Sequence, residues 1–207
     1  MTGVARPDHL VFAAATLEEG AHHVEAVLGV PLQAGGRHAQ MGTHNRLLDL
    51  GPGLYLEVIA IDPEVTPPEH PRWFDLDNLS GPPRLSNWVV RTDDLDEALM
   101  VSPPGTGRPV DFARGALTWR MSVPPDGRLP FDGAFPALIE WRGAMAADRL
   151  ADSGCRLRRL ILCHPRATDL RAALARVLDD PRLAVVEGPA AALRAEIDTP
   201  AGLRVLE

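Results

Sequence analysis

Asp8-His9-Leu10-Val11-Phe12 and Leu54-Tyr55-Leu56-Glu57-Val58-Ile59-Ala60 decide the fold of this 207-residue chain. Each is a short apolar run of strand-forming residues, and each carries one side chain, His9 or Glu57, able to bind a proton or a metal. Burying either group unpaired is costly, so the two need each other, a cation or a ligand proton. Alternate residues of a strand share a face, which groups Tyr55, Glu57 and Ile59 and sets His9 beside Val11. A structural His–Glu hydrogen bond and a functional cleft both satisfy this pattern.

After the first strand, Thr16-Leu17-Glu18-Glu19 supplies a helix cap with acids in the first turn, and Gly29 closes the helix. Pro31 to His38, Asn45 to Leu50 and Leu54 to Ile61 then read as strands, the last two joined by Gly51-Pro52-Gly53. Residues 1–62 are therefore a βαβββ unit. Moving 78 positions on, from His9 to Asn87, aligns Thr16-Leu17-Glu18-Glu19 with Asp94-Leu95-Asp96-Glu97. Asn87-Trp88-Val89-Val90, the helix after Asp94, and strands at Leu117 to Val123 and Phe135 to Trp141 make residues 84–145 a second unit. The order recurs more faintly over 155–207, a third unit. Pro- and Gly-rich Asp62 to Pro83 reads as a spacer.

The net charge of −7 argues against binding nucleic acid or an anionic membrane. Every basic residue is Arg, which removes Schiff-base chemistry. Cys155 and Cys163 fit no ligand or redox pattern and suit a reducing compartment, and no signal peptide or membrane span is expected, so the cytoplasm is the expected location. Nucleotide-binding loops and a serine-hydrolase elbow are absent from the sequence.

Tandem βαβββ units with His in the first strand and Glu in the fourth resemble the vicinal-oxygen-chelate superfamily, in its glyoxalase-like branch. Gly35-Gly36-Arg37-His38, Gly42-Thr43-His44-Asn45-Arg46 and Phe135-Pro136-Ala137-Leu138-Ile139-Glu140-Trp141 add to the likeness over residues 6 to 143. The resemblance implies an α+β fold in which repeated βαβββ units form a curved sheet and cleft, with ligands from the first and fourth strands of each unit. Carried over, it implies His9, Glu57 and Glu140 as metal ligands for Mn, Fe, Ni, Zn or Mg, with Glu57 and Glu140 also moving protons. The fourth ligand position falls on Asn87, a poor ligand for a transition metal, which sets the chain apart from ordinary lactoylglutathione lyases.

Asn45, Asn87, Arg91 and Trp119 are the expected substrate contacts. Asn45 is also suited to its turn, and Arg91 to a bidentate anion contact. His22, His23, His38, His44 and His70 are expected in solvent. The function implied is binding, and metal-dependent lyase, isomerase or dioxygenase chemistry, of a small oxygenated or carbonyl compound. The alternative is a metal-free binding or drug-sequestering protein of the same fold. A lone third unit would leave an apolar face uncovered, from which a homodimer is expected.

Overall fold

A computed structural model describes residues 5–207. The first unit runs β1 (Arg6–Ala13), α1 (Leu17–Leu28), β2 (Gln33–His38), β3 (Thr43–Asp49) and β4 (Tyr55–Ile61). The second runs β5 (Arg84–Arg91), α2 (Leu95–Val101), β6 (Arg108–Arg114), β7 (Leu117–Val123) and β8 (Ala137–Trp141). The helix starts follow from their caps: Thr16 accepts from the Glu19 amide and Asp94 from the Glu97 amide. Together the units form one curved eight-stranded sheet, a half-barrel in the order β2-β3-β4-β1-β5-β8-β7-β6. β1 and β5 pair antiparallel at its centre, so the two units share a continuous sheet.

Both faces of the central strands are buried, each against a different layer. Leu10, Phe12, Leu56, Val58, Trp88 and Leu138 belong to the core that includes the helices. Val11, Tyr55, Ile59, Val89, Ala137 and Ile139 belong to a second core on the concave side. Such strands read as nearly continuous apolar runs, and the phase of their alternation is correspondingly weak.

The segment Asp62 to Pro83 is no mere spacer. Trp73–Asn78 forms a short 3-10 segment whose Trp73, Phe74 and Leu76 fill the concave side. Phe74 (φ 58°) and Asp75 (φ 53°) both adopt the left-handed region, which costs a non-glycine residue about 1–2 kcal/mol. The segment is anchored by Arg72, whose guanidinium pairs with Asp77 and donates to the Gly42 carbonyl.

Residues 155–207 contain β9 (Arg156–His164), α3 (Ala167–Leu174), β10 (Leu183–Glu187), β11 (Ala192–Thr199) and β12 (Gly202–Leu206). The order is βαβββ, but the sheet is wired differently. In the first unit β1 lies parallel to β4, whereas here β9 lies parallel to β10 and antiparallel to β11, giving β10-β9-β11-β12. Leu157, Leu160, Leu162, Leu193 and Ile197 join the helix-side core of the same chain. The third unit's apolar face is therefore covered internally, which removes the reason given for a homodimer. Among the described residues no helix is long and apolar enough to cross a membrane.

Candidate functional site

His9 and Glu57 meet on the concave side, as the alternation of their strands requires. β1 and β4 run parallel with His9 opposite Tyr55 and Val11 opposite Glu57. The His9 ring stacks on Tyr55 with centroids 4.6 Å apart and planes 19° from parallel. Its Nδ1 lies 2.7 Å from Asp8 Oδ1, and its Nε2 lies 3.6 Å from Glu57 Oε2. A carboxylate only accepts, so Nδ1 carries a proton and Nε2 is the nitrogen offered toward Glu57. Asp8 is almost fully buried and also accepts from Trp141 Nε1 at 2.9 Å, with Arg91 at 3.8 Å. Asp8 was not singled out from the sequence. Its place next to His9 suggests the opposite face of the strand, but a register shift between Pro7 and His9 brings both to one site.

The other Glu57 oxygen accepts from Asn45 Nδ2 at 2.5 Å, and Asn45 Oδ1 accepts from the Gly36 amide at 2.7 Å. That pair of bonds fixes which way the Asn45 amide points. It also explains Gly35: a Cβ there would lie 2.1 Å from Asn45 Oδ1. Tyr55, Trp73, Phe74, Trp119, Trp141 and Ile139 close around the dyad, leaving a chamber of about 30 Å³. Burial, then the nearby Asp8 and Glu57 charges, holds the Tyr55 phenol well above its ordinary value, so it stays protonated.

His38, expected in solvent, is instead buried in the chamber wall. Its Nδ1 meets Thr43 Oγ1 at 3.1 Å, and Arg114 Nη1 donates to its Nε2 at 2.9 Å. The cover comes from Trp73, whose ring packs edge-on 5.0 Å away from a distant part of the sequence. Burial first, then the Arg114, His9 and His44 charges, pushes its pKa from 6.5 down to about 3. The unfolded chain thus takes up a proton below about pH 6.5 that the folded chain refuses until about pH 3. The resulting stability is full above that window and lost as pH falls through it. Urea midpoints at pH 7 and pH 4.5 are expected to differ more in the native protein than in His38→Gln, and equal differences would refute the burial.

Glu140 is where the sequence reading and the structure part. On β8, Ala137, Ile139 and Trp141 face the concave side. Glu140 faces α2, where Oε2 accepts from the Leu95 amide at 2.9 Å and lies 3.4 Å from Arg120 Nη1. It serves the first turn of that helix. Glu140→Gln is expected to lower stability by about 1 kcal/mol with no change in ligand binding in the cleft, measured by denaturation and titration. Trp119 and Asn45 do line the chamber. Arg91 does not: its Nη1 donates to the Pro7 and Gly53 carbonyls and braces the start of β1. Asn87 lines a separate cavity.

These positions do not fit a metal held in the manner the resemblance implies. A catalytic zinc takes three protein ligands, and the hard cations take about six oxygens. Here His9 Nε2 and Glu57 are joined in the chamber by His38, whose ring nitrogens are engaged by Thr43 and Arg114; Asp8 is engaged by His9 and Trp141, and the side chains offered by β8 and β5 are Ile139, Trp141 and Val89. Among the described residues no three His, Cys, Asp or Glu side chains converge on a point suited to an ion.

No curated protein sequence matches the chain. Among solved structures, a hypothetical protein from Staphylococcus aureus superposes with a TM-score of 0.60 and 10% identity, over 91% of this chain and 88% of its own. Methylmalonyl-CoA epimerase from Mycobacterium tuberculosis gives a TM-score of 0.47 and 18% identity, over 72% of this chain and 96% of its own. The sequence pattern of the glyoxalase-like domain matches residues 8–178, spanning both βαβββ units and the start of the third. The curved sheet of paired units and the extent of that match agree, and the chain belongs to the glyoxalase-like domain family of the vicinal-oxygen-chelate superfamily.

Proposed function

We propose that the chain binds a small, largely apolar molecule carrying an oxygen function, in the cleft and without a metal. One observation carries the reading: Glu140 lies against α2 and leaves His9 and Glu57 as the only two free donors of the expected set. Tryptophan and phenylalanine walls supply apolar contact, while Glu57 and His9 Nε2 offer polar anchors at one end, the usual division of labour in a ligand pocket. The chamber of about 30 Å³ has room for about one water, so a ligand takes the space now held by Trp73 and Phe74. The left-handed residues Phe74 and Asp75 lower the cost of moving that segment, because leaving the strained conformation returns free energy.

A second reading, acid–base catalysis on the bound molecule, is favoured by the Asp8–His9–Glu57 alignment. Asp8 orients the ring through Nδ1, and Nε2 and Glu57 stand ready to pass a proton to or from a ligand atom between them. Both readings are tested by one titration. Trp73, Trp119 and Trp141 line the chamber, so their fluorescence reports occupancy as phenolic and vicinal-dioxygen compounds are added with EDTA present. Binding that survives chelation, weakens about tenfold or more in Glu57→Gln, and returns the ligand unchanged by mass spectrometry supports a binding protein. A chemically altered ligand supports catalysis. Binding only with added metal, or turnover of the methylglyoxal–glutathione adduct, overturns the metal-free reading.

A further inference from the structure

Beyond the cleft, a cavity of about 460 Å³ opens where the second unit, the Trp73–Asn78 segment and the third unit meet. That volume falls in the range of small-molecule sites. Phe74 lines both spaces and so is the partition between this cavity and the His9–Glu57 chamber. One polar side chain that faces the cavity lacks a partner. Asn87 is 4% exposed, lines the cavity and forms no hydrogen bond within the chain among the described residues. The neighbouring Ser86 hydroxyl is also unpaired but has no accessible surface, so it is closed off from the cavity. Buried polar groups are rarely left without a partner in protein or water, and the Asn87 amide is open to one from the cavity.

The backbone is shaped to hold Asn87 in this position. Asp132 takes φ 52° and Gly133 φ 88°, and a Cβ on Gly133 would lie 2.6 Å from Asn87 Nδ2 and 2.8 Å from the Ser86 carbonyl oxygen. Leu79, Leu85, Leu129 and Leu193 provide apolar walls beside Phe74. Charge at the rim is mixed. Arg128 is paired with Asp75, Asp132 lies 3.5 Å from His164 Nε2 and Glu207 3.7 Å from Arg194 Nε, and Arg84 donates to the Ser80 and Pro82 carbonyls.

We infer that this cavity is a second binding site, for a small planar neutral molecule with adjacent donor and acceptor atoms, of the amide or amidine kind. An Asn side chain presents an acceptor and a donor in one plane and pairs with such an edge through two parallel hydrogen bonds. The site shares Phe74 with the cleft but differs from it in its polar group, Asn87, and in the part of its wall that comes from the third unit.

The probes are nicotinamide, adenine and uracil, with toluene as a planar ring lacking the amide edge, tested on the whole chain by saturation-transfer NMR and calorimetry. At least one amide-bearing probe is expected to bind more tightly than toluene, to weaken about tenfold in Asn87→Leu, and to be displaced by Ala192→Trp, which fills the mouth from an exposed position. Glu57→Gln is expected to leave this binding intact. Absence of binding by all three, toluene binding equally well, or binding insensitive to Asn87→Leu and Ala192→Trp overturns the proposal. Binding lost instead in Glu57→Gln would place the probe in the cleft and overturn it as well. Circular dichroism of each variant separates a loss of binding from a loss of fold.

Discussion

Replacing Asp8 by Ala is expected to lower the stability of the chain by about 3 kcal/mol and to weaken ligand binding in the cleft about tenfold. Asp8 is 1% exposed and accepts from both His9 Nδ1 and Trp141 Nε1, with Arg91 at 3.8 Å. Removing the carboxylate leaves two buried N–H donors without acceptors and a half-buried guanidinium without its counter-charge. It also frees the His9 ring, whose orientation toward Glu57 depends on the Nδ1 bond. Urea denaturation measures the first effect and fluorescence titration the second. The indole N–H resonance of Trp141 should move in the same variant, linking both effects to one hydrogen bond. A stability loss under about 1 kcal/mol would show that Asp8 does not organise the site.

Trp88→Ala is expected to cost still more, about 4–5 kcal/mol, a large share of the total stability of most domains. Trp88 is fully buried between the sheet and the helix layer, and its Nε1 donates to the Ala134 carbonyl at 2.9 Å. The substitution empties a large volume on the face opposite the cleft and orphans that carbonyl. Should Trp88→Ala fail to fold, Trp88→Phe keeps most of the ring volume and is expected to lose about 1–2 kcal/mol by denaturation. A negligible loss in Trp88→Phe would contradict the packing described here.

The first βαβββ unit was legible because its signals are local. Thr16 caps, Gly29 closes, and the 55–57–59 alternation aims Glu57 and the ring of Tyr55 at the same face as His9. The second unit was legible in order through its likeness to the first, although β6 was missed. That strand is flanked by Gly107 and Gly115 and opens on Arg108-Pro109, so it lacks an apolar run. Glu140 was misplaced for a different reason. Leu138, Ile139, Glu140 and Trp141 sit in a strand covered on both faces, where hydrophobicity no longer tells inside from outside.

His38 and Asp8 were hidden by tertiary effects. The burial of His38 comes from Trp73, thirty-five positions away in a segment whose prolines suggest a spacer. Asp8 reaches the His9 side through a register shift at Pro7, a residue that inside a central strand marks a bulge. The third unit shows a further limit. Its βαβββ order reads directly from the sequence, but the same order permits two sheet topologies, and β9 pairs with β10 and β11 instead of the last strand.

The central claim is that the cleft offers a dyad, not a metal site. Its most direct test is equilibrium dialysis of the untagged chain against Mn²⁺, Fe²⁺, Ni²⁺, Zn²⁺ and Mg²⁺ in turn, with bound metal counted by plasma mass spectrometry beside His9→Ala, Glu57→Gln and Glu140→Gln. Well under one ion per chain is expected for each metal, with no difference among the variants. Near-stoichiometric metal in the native chain, lost in all three variants, would contradict it and return Glu140 to the site.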